Sequence, residues 1–148
     1  MQPTGKDEPN FMEFYVVFTD GTELGYPWRW FTREGFRHVG VYMAFLDGIL
    51  AYEHTVKGIR TYFYKGNVHD FMGGVGQIDG YTVVYLPRAN IGKYKNKMGT
   101  ILPTCVSLTQ RITGLTSHAV TPYYYFKFLL RNGGHVVEKS TKTRPVVN

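Results

Sequence analysis

The sequence predicts one α+β domain in which an antiparallel sheet of about five strands is followed by two short helices. The 148-residue chain is long enough for one hydrophobic core. Its 16% aromatic content, with 12 Tyr and 10 Phe, favours strands over a helical bundle. Turn signals separate short β-branched and aromatic runs in the first two thirds, and helix-start signals follow in the last third.

Five strand-forming runs follow one another along the chain. Residues 13–19 (EFYVVFT) are closed by Asp20-Gly21, a turn signal. The best hairpin joins residues 36–45 to residues 49–56 through Asp47-Gly48. Two further strands, IRTYFY and YTVVYL, are separated by a glycine-rich stretch that we interpret as a loop.

Helix signals and flexible ends complete the predicted organisation. Pro103 precedes a helix-compatible run, CVSLTQRITGL. Thr121 caps a second helix, with Pro122 at its first position and Gly133 at its end. We expect residues 1–10 to form an N-terminal arm, residues 11–135 the domain, and residues 136–148 an extended C-terminal tail.

The composition restricts the cellular compartment and the classes of binding partner that we expect for this protein. A single cysteine excludes an intramolecular disulfide, and no signal peptide opens the chain, so we expect synthesis in a reducing cytoplasm. No apolar run reaches the roughly 20 residues that span a bilayer. The formal charge is +6, but the cations are scattered, which argues against nucleic-acid binding. No cofactor and no metal site is predicted, because the histidines lack metal-ligand spacing.

Cys105 and His38 are the residues best suited to chemistry. A helix N-terminus stabilises a thiolate, and Cys105 falls in a predicted first helical turn. His38 begins a strand on which it shares one face with Gly40 and Tyr42, and the glycine leaves space beside the imidazole. Both residues also have ordinary interpretations, a buried apolar cysteine and a surface histidine.

The third member of such a site depends on the hairpin register. A two-residue loop places Glu53 on the face of His38, and a loop of odd length places His54 there. Trp28 and Trp30, in the segment PWRWF, are either a core plug or the wall of a substrate groove. We include both tryptophans and Tyr42 as candidate substrate-binding residues.

The segment HVGVYMAFLDGILAYEH resembles the His-containing hairpin of the permuted NlpC/P60-like, papain-fold superfamily, which includes lecithin:retinol acyltransferase-like proteins. In that family the nucleophilic cysteine follows the histidines and starts a helix, as Cys105 does here. The segments PTCVSLTQRITGL and TPYYYFKFLL also resemble small phage-encoded proteins of this type. The resemblance favours His54 over Glu53 as the group that orients His38.

The resemblance implies two functions of different classes. The first is a phage-type cysteine hydrolase or amidase, in which Cys105 attacks a peptide or peptidoglycan amide, His38 moves the proton and His54 holds the imidazole. The second is a catalytically inactive virion protein that docks on other virion proteins through its arms. A nucleic-acid binder is a third alternative, which needs exposed tyrosines and a single face that carries Lys93, Lys95, Lys97 and the tail cations.

Overall fold

The computed structural model describes residues 13–20, 32–55, 57–75, 80–87 and 104–139. Within these ranges the fold class is as predicted, an α+β domain with an antiparallel sheet and two helices late in the chain. In chain order the elements are β1 (Glu13–Thr19), β2 (His38–Ala44), β3 (Gly48–Thr55), β4 (Gly58–Lys65), α1 (Val68–Val75), β5 (Thr82–Leu86), α2 (Cys105–Thr113), α3 (Pro122–Arg131) and β6 (His135–Lys139).

The six described strands form one sheet in the order β4-β3-β2-β1-β5-β6, and every neighbouring pair is antiparallel. The β2–β3 hairpin has a two-residue loop, because the Phe45 N–H donates to the Gly48 carbonyl oxygen at 2.8 Å. The loop is therefore Leu46-Asp47, one residue earlier than predicted, and Gly48 already belongs to β3. Phe63 and the carbonyl of Tyr64 lie where a Cβ on Gly48 would project, so glycine is required there.

Helices cover both faces of the sheet, and the two faces define two cores. On one face, Val39 and Val41 pack under α2 and α3. On the other face, Tyr42 and Ala44 lie in a second apolar cluster that Phe71 of α1 contacts. We call these the α2/α3 face and the α1 face. Side chains alternate between the two faces along each strand, and directly opposed residues of paired strands share a face.

Helix α1 occupies the stretch that we interpreted as a loop. The Asn67 side chain caps its first turn, since Oδ1 accepts a hydrogen bond of 2.9 Å from the Asp70 N–H. Val68 and Phe71 then pack on the α1 face. One capping residue and two apolar contacts three residues apart are sufficient to form a helix despite the low helix propensity of glycine.

Strand β6 extends the sheet beyond the predicted end of the domain. His135 and Val136 pair with Tyr85 and Val84 of β5, so the first described residues of the predicted tail, 136–139, belong to the sheet. Among the described residues, no helix is long and apolar enough to cross a bilayer. The longest, α3, has ten residues.

Candidate functional site

Cys105 is the first residue of α2, and the preceding Thr104 forms a complete capping box with Ser107. The Ser107 N–H donates to Thr104 Oγ1 at 3.1 Å, and the Thr104 N–H donates to Ser107 Oγ at 2.8 Å. These reciprocal hydrogen bonds hold the helix start in one conformation. The position of the cysteine backbone is therefore well defined.

The Cys105 thiol lies on the α2/α3 face, against the cluster that contains Val39. Burial raises the pKa of this thiol. Backbone amides of Val39, Val106 and Cys105 itself act in the opposite direction, and their effect is smaller than that of burial. The helix N-terminus therefore favours the thiolate, as expected, but the larger effect of burial raises the thiol pKa.

His38 lies on the other side of the sheet. It pairs with Thr19 at the start of β2, and alternation places it on the α1 face with Gly40 and Tyr42. Cys105 packs beside Val39, whose side chain lies on the opposite face. The side chains of Cys105 and His38 therefore lie on different faces of the sheet, although the backbone hydrogen bond from Val39 keeps the sulfur next to β2. The sequence did not reveal this because both faces of β2 carry buried side chains.

The β2–β3 register decides between Glu53 and His54. Gly40 is directly opposite Glu53, so Glu53 shares the α1 face with His38. His54 is one residue further along β3 and lies on the α2/α3 face, the face of Cys105. This corrects the preference for His54 as the residue that orients His38. It also places His54, rather than His38, on the sulfur's side of the sheet.

Tyr42 is a core residue rather than an exposed groove wall. Its ring lies 5.1 Å from that of Phe71 of α1, and its hydroxyl donates to Glu53 Oε1 at 2.8 Å. Burial, followed by the charge of Glu53, raises the Tyr42 pKa. The space that we expected beside Gly40 is filled, because a Cβ there would lie 3.3 Å from Glu53 Cγ. The other two candidate substrate-binding residues, Trp28 and Trp30, lie outside the described residues.

The strand IRTYFY was predicted, but sequence reasoning missed that this strand, β4, is an exposed edge of the sheet. Seven of its eight residues are exposed, including the large apolar side chains of Ile59 and Phe63. The available signal was the composition of GIRTYFYK, in which cationic and apolar residues are mixed without an apolar face. Such a strand is typical of a sheet edge and not of a sheet centre.

Comparison with protein-family models, with curated proteins and with solved structures finds no match in any of the three. The resemblance to the permuted NlpC/P60-like proteins therefore stays a prediction from short motifs around His38 and Cys105. Chemically, the described residues offer a buried thiol with a raised pKa on one face and a tyrosine–glutamate hydrogen bond on the other. At the edge of the sheet they offer the exposed strand β4.

Proposed function

We propose that this chain is a non-catalytic assembly protein, a virion subunit in the context that the resemblance implies, which acts by docking on neighbouring proteins. One observation carries the proposal: the Cys105 thiol is buried against the α2/α3 face of the sheet, and this burial raises its pKa. A cysteine nucleophile needs a thiolate and a base within hydrogen-bond reach. The raised pKa disfavours the thiolate, which argues against catalysis by Cys105.

Exposed sheet edges support the docking part of the proposal. Strand β4 ends the sheet on one side, and Ile59 and Phe63 expose 60% of their surface there. Strand β6 ends it on the other side, with Val136 and Val137 exposed. Edge strands present backbone N–H and C=O groups that can pair with another chain. Such edges suit a subunit that is completed by its neighbours in an assembly.

The test is the pH dependence of Cys105 alkylation by iodoacetamide, followed by mass spectrometry. We expect slow labelling with a midpoint above about 8.5, the value of a free cysteine, and no change in His38→Ala. The same protein unfolded in guanidinium is the control for intrinsic reactivity. A midpoint well below that of the unfolded control, shifted upward in His38→Ala, would contradict the proposal.

A cysteine hydrolase acting on a peptide or peptidoglycan amide is the second candidate, and two observations favour it. Three backbone amides lower the pKa of the Cys105 thiol, and His54 lies on the same face of the sheet as the sulfur. Catalysis would then use a Cys105–His54 pair, with His38 in no chemical role. In the same alkylation experiment, this candidate predicts that His54→Ala raises the midpoint and that His38→Ala does not.

A further inference from the structure

We infer that β4 is a docking edge that accepts an extended, acidic polypeptide segment from a partner protein as an additional strand. The inference deepens the proposed function, on which it rests, by naming the surface and the chemistry of the partner. It depends on the hydrogen-bond pattern of β4, on its exposed side chains and on its charge.

The backbone pattern shows which groups face outward. The Gly66 N–H donates to the Asp47 carbonyl oxygen at 3.2 Å, which marks this pair as hydrogen-bonded. Hydrogen-bonded and non-hydrogen-bonded pairs alternate along an antiparallel ladder. In the observed β3–β4 register, the backbone groups of even-numbered β4 residues therefore point to β3. Those of odd-numbered residues point away from the sheet: Ile59, Thr61, Phe63 and Lys65.

The side chains at the same edge favour a partner strand with an apolar centre. Ile59 and Phe63 flank Thr61 and lie on one face of the strand. A strand added here would cover both apolar side chains and pair with the outward backbone groups between them. Backbone hydrogen bonds would provide affinity, and alternate side chains would provide specificity.

Charge argues for an acidic partner. Lys57 precedes β4 and Lys65 ends it, whereas the strand has no acidic residue. A second copy paired antiparallel about Thr61 would place Lys57 opposite Lys65 of that copy. Like charges directly opposed destabilise a strand pair, and opposite charges stabilise it. An acidic segment therefore fits this edge better than a second copy of the chain.

The size of the edge also favours a segment over a folded second copy. Eight residues extend about 27 Å, and a strip of that length across one sheet buries on the order of 300 Å² per partner. A stable interface between folded proteins buries about 800 Å² per partner. An extended segment tethered within an assembly needs less area, because tethering raises its effective concentration.

The test uses fluorescence anisotropy with two blocked eight-residue peptides. Both have alternating Val and Thr in the centre; one has Glu at both ends and the other Lys. We expect the glutamate peptide to bind at least tenfold more tightly. Thr61→Pro should weaken its binding at least tenfold, since proline removes the outward N–H without breaking the β3 pairing. Thr61→Val keeps the N–H and is the matched control.

A second variant, in which the charges at the two ends of β4 are reversed, tests the inference without relying on Thr61→Pro being folded. The double variant Lys57→Glu/Lys65→Glu should bind the lysine peptide more tightly than the glutamate peptide. Equal binding of the two peptides by the native protein would overturn the inference. So would a concentration-dependent dimer that Thr61→Pro abolishes, or tighter binding of a single-stranded DNA oligonucleotide than of the glutamate peptide.

The alkylation of Cys105 involves no β4 residue, so the proposed function and this inference can fail separately. A reactive thiolate with intact peptide binding would reject the non-catalytic role and leave a docking edge on an enzyme. An unreactive thiol without peptide binding would reject the edge and leave the non-catalytic role.

Discussion

Tyr42 on β2 donates a hydrogen bond of 2.8 Å to Oε1 of Glu53 on β3, on the face of the sheet that α1 covers. The bond joins β2 to β3 at a part-buried position, in the register that places Glu53 and not His54 on the face of His38. Glu53 therefore has a structural partner within the hairpin.

We predict that Tyr42→Phe destabilises the protein by about 1–2 kcal/mol at pH 7, because the Glu53 carboxylate loses its donor. Urea unfolding followed by circular dichroism measures the loss. Tyr15→Phe is the matched control, since Tyr15 donates to Glu13 at the same distance of 2.8 Å but at a less buried site. Equal losses in the two variants would show that the Tyr42–Glu53 hydrogen bond contributes no more to stability than the less buried Tyr15–Glu13 hydrogen bond.

Gly48 provides a second test, of the close approach between β3 and β4. A Cβ on this residue would lie 2.7 Å from the backbone oxygen of Tyr64, and backbone cannot move aside as a flexible side chain does. We expect Gly48→Ala to destabilise the protein by about 1–3 kcal/mol. In Gly40→Ala the nearest atom is Glu53 Cγ at 3.3 Å, so a loss below about 1 kcal/mol is expected in the same unfolding assay. A larger loss in Gly40→Ala would contradict this account.

Local signals were sufficient to predict most of the fold. Strand β1 has the predicted bounds, and α3 begins at Pro122 behind the Thr121 cap because both residues act within one helical turn. Strand β6 was missed because its residues are exposed and have no alternating pattern. Strand β6 forms because its backbone groups pair with those of β5, which is distant in the sequence.

The geometry of the candidate site could not be predicted for a different reason. Alternation shows which residues of β2 share a face, but it does not show on which face a distant helix packs. Val39 and Ala44 are both buried although they lie on opposite faces, so neither face of β2 is marked as the solvent side. The face on which the Cys105 side chain packs follows from the side of the sheet that α2 covers, which is tertiary information.

Gln110 joins α2 to the segment that leads into α3, and it is fully buried. Its Nε2 donates to the Ala119 carbonyl oxygen at 3.2 Å, and its Oε1 accepts from the Ser117 N–H at 3.2 Å. We expect Gln110→Leu to cost about 1–3 kcal/mol, because the part-buried Ser117 N–H and Ala119 carbonyl would lose these partners. Arg111→Leu, the same substitution at an exposed position of α2, should change stability by less than about 0.5 kcal/mol. Similar losses for the two variants would exclude the hydrogen-bond explanation.

Alkaline pH should destabilise the protein through its buried phenols. Burial raises the pKa of Tyr125, and burial followed by the Glu53 charge raises that of Tyr42. Above about pH 10 the unfolded chain releases phenol protons that the native state retains. The free energy of unfolding therefore falls as pH rises, by up to about 1.4 kcal/mol per pH unit for each such group.

Urea unfolding of the native protein and of Tyr125→Phe at pH 8, 9.5 and 11 measures this slope. The variant should be less stable at pH 8, since the Tyr125 hydroxyl donates to the Leu115 carbonyl oxygen at 3.0 Å. Its stability should fall less steeply above pH 10, because the variant lacks the Tyr125 phenol, whose pKa is raised in the native state. Parallel pH profiles for the two proteins would mean that Tyr125 ionises alike in the native and unfolded states.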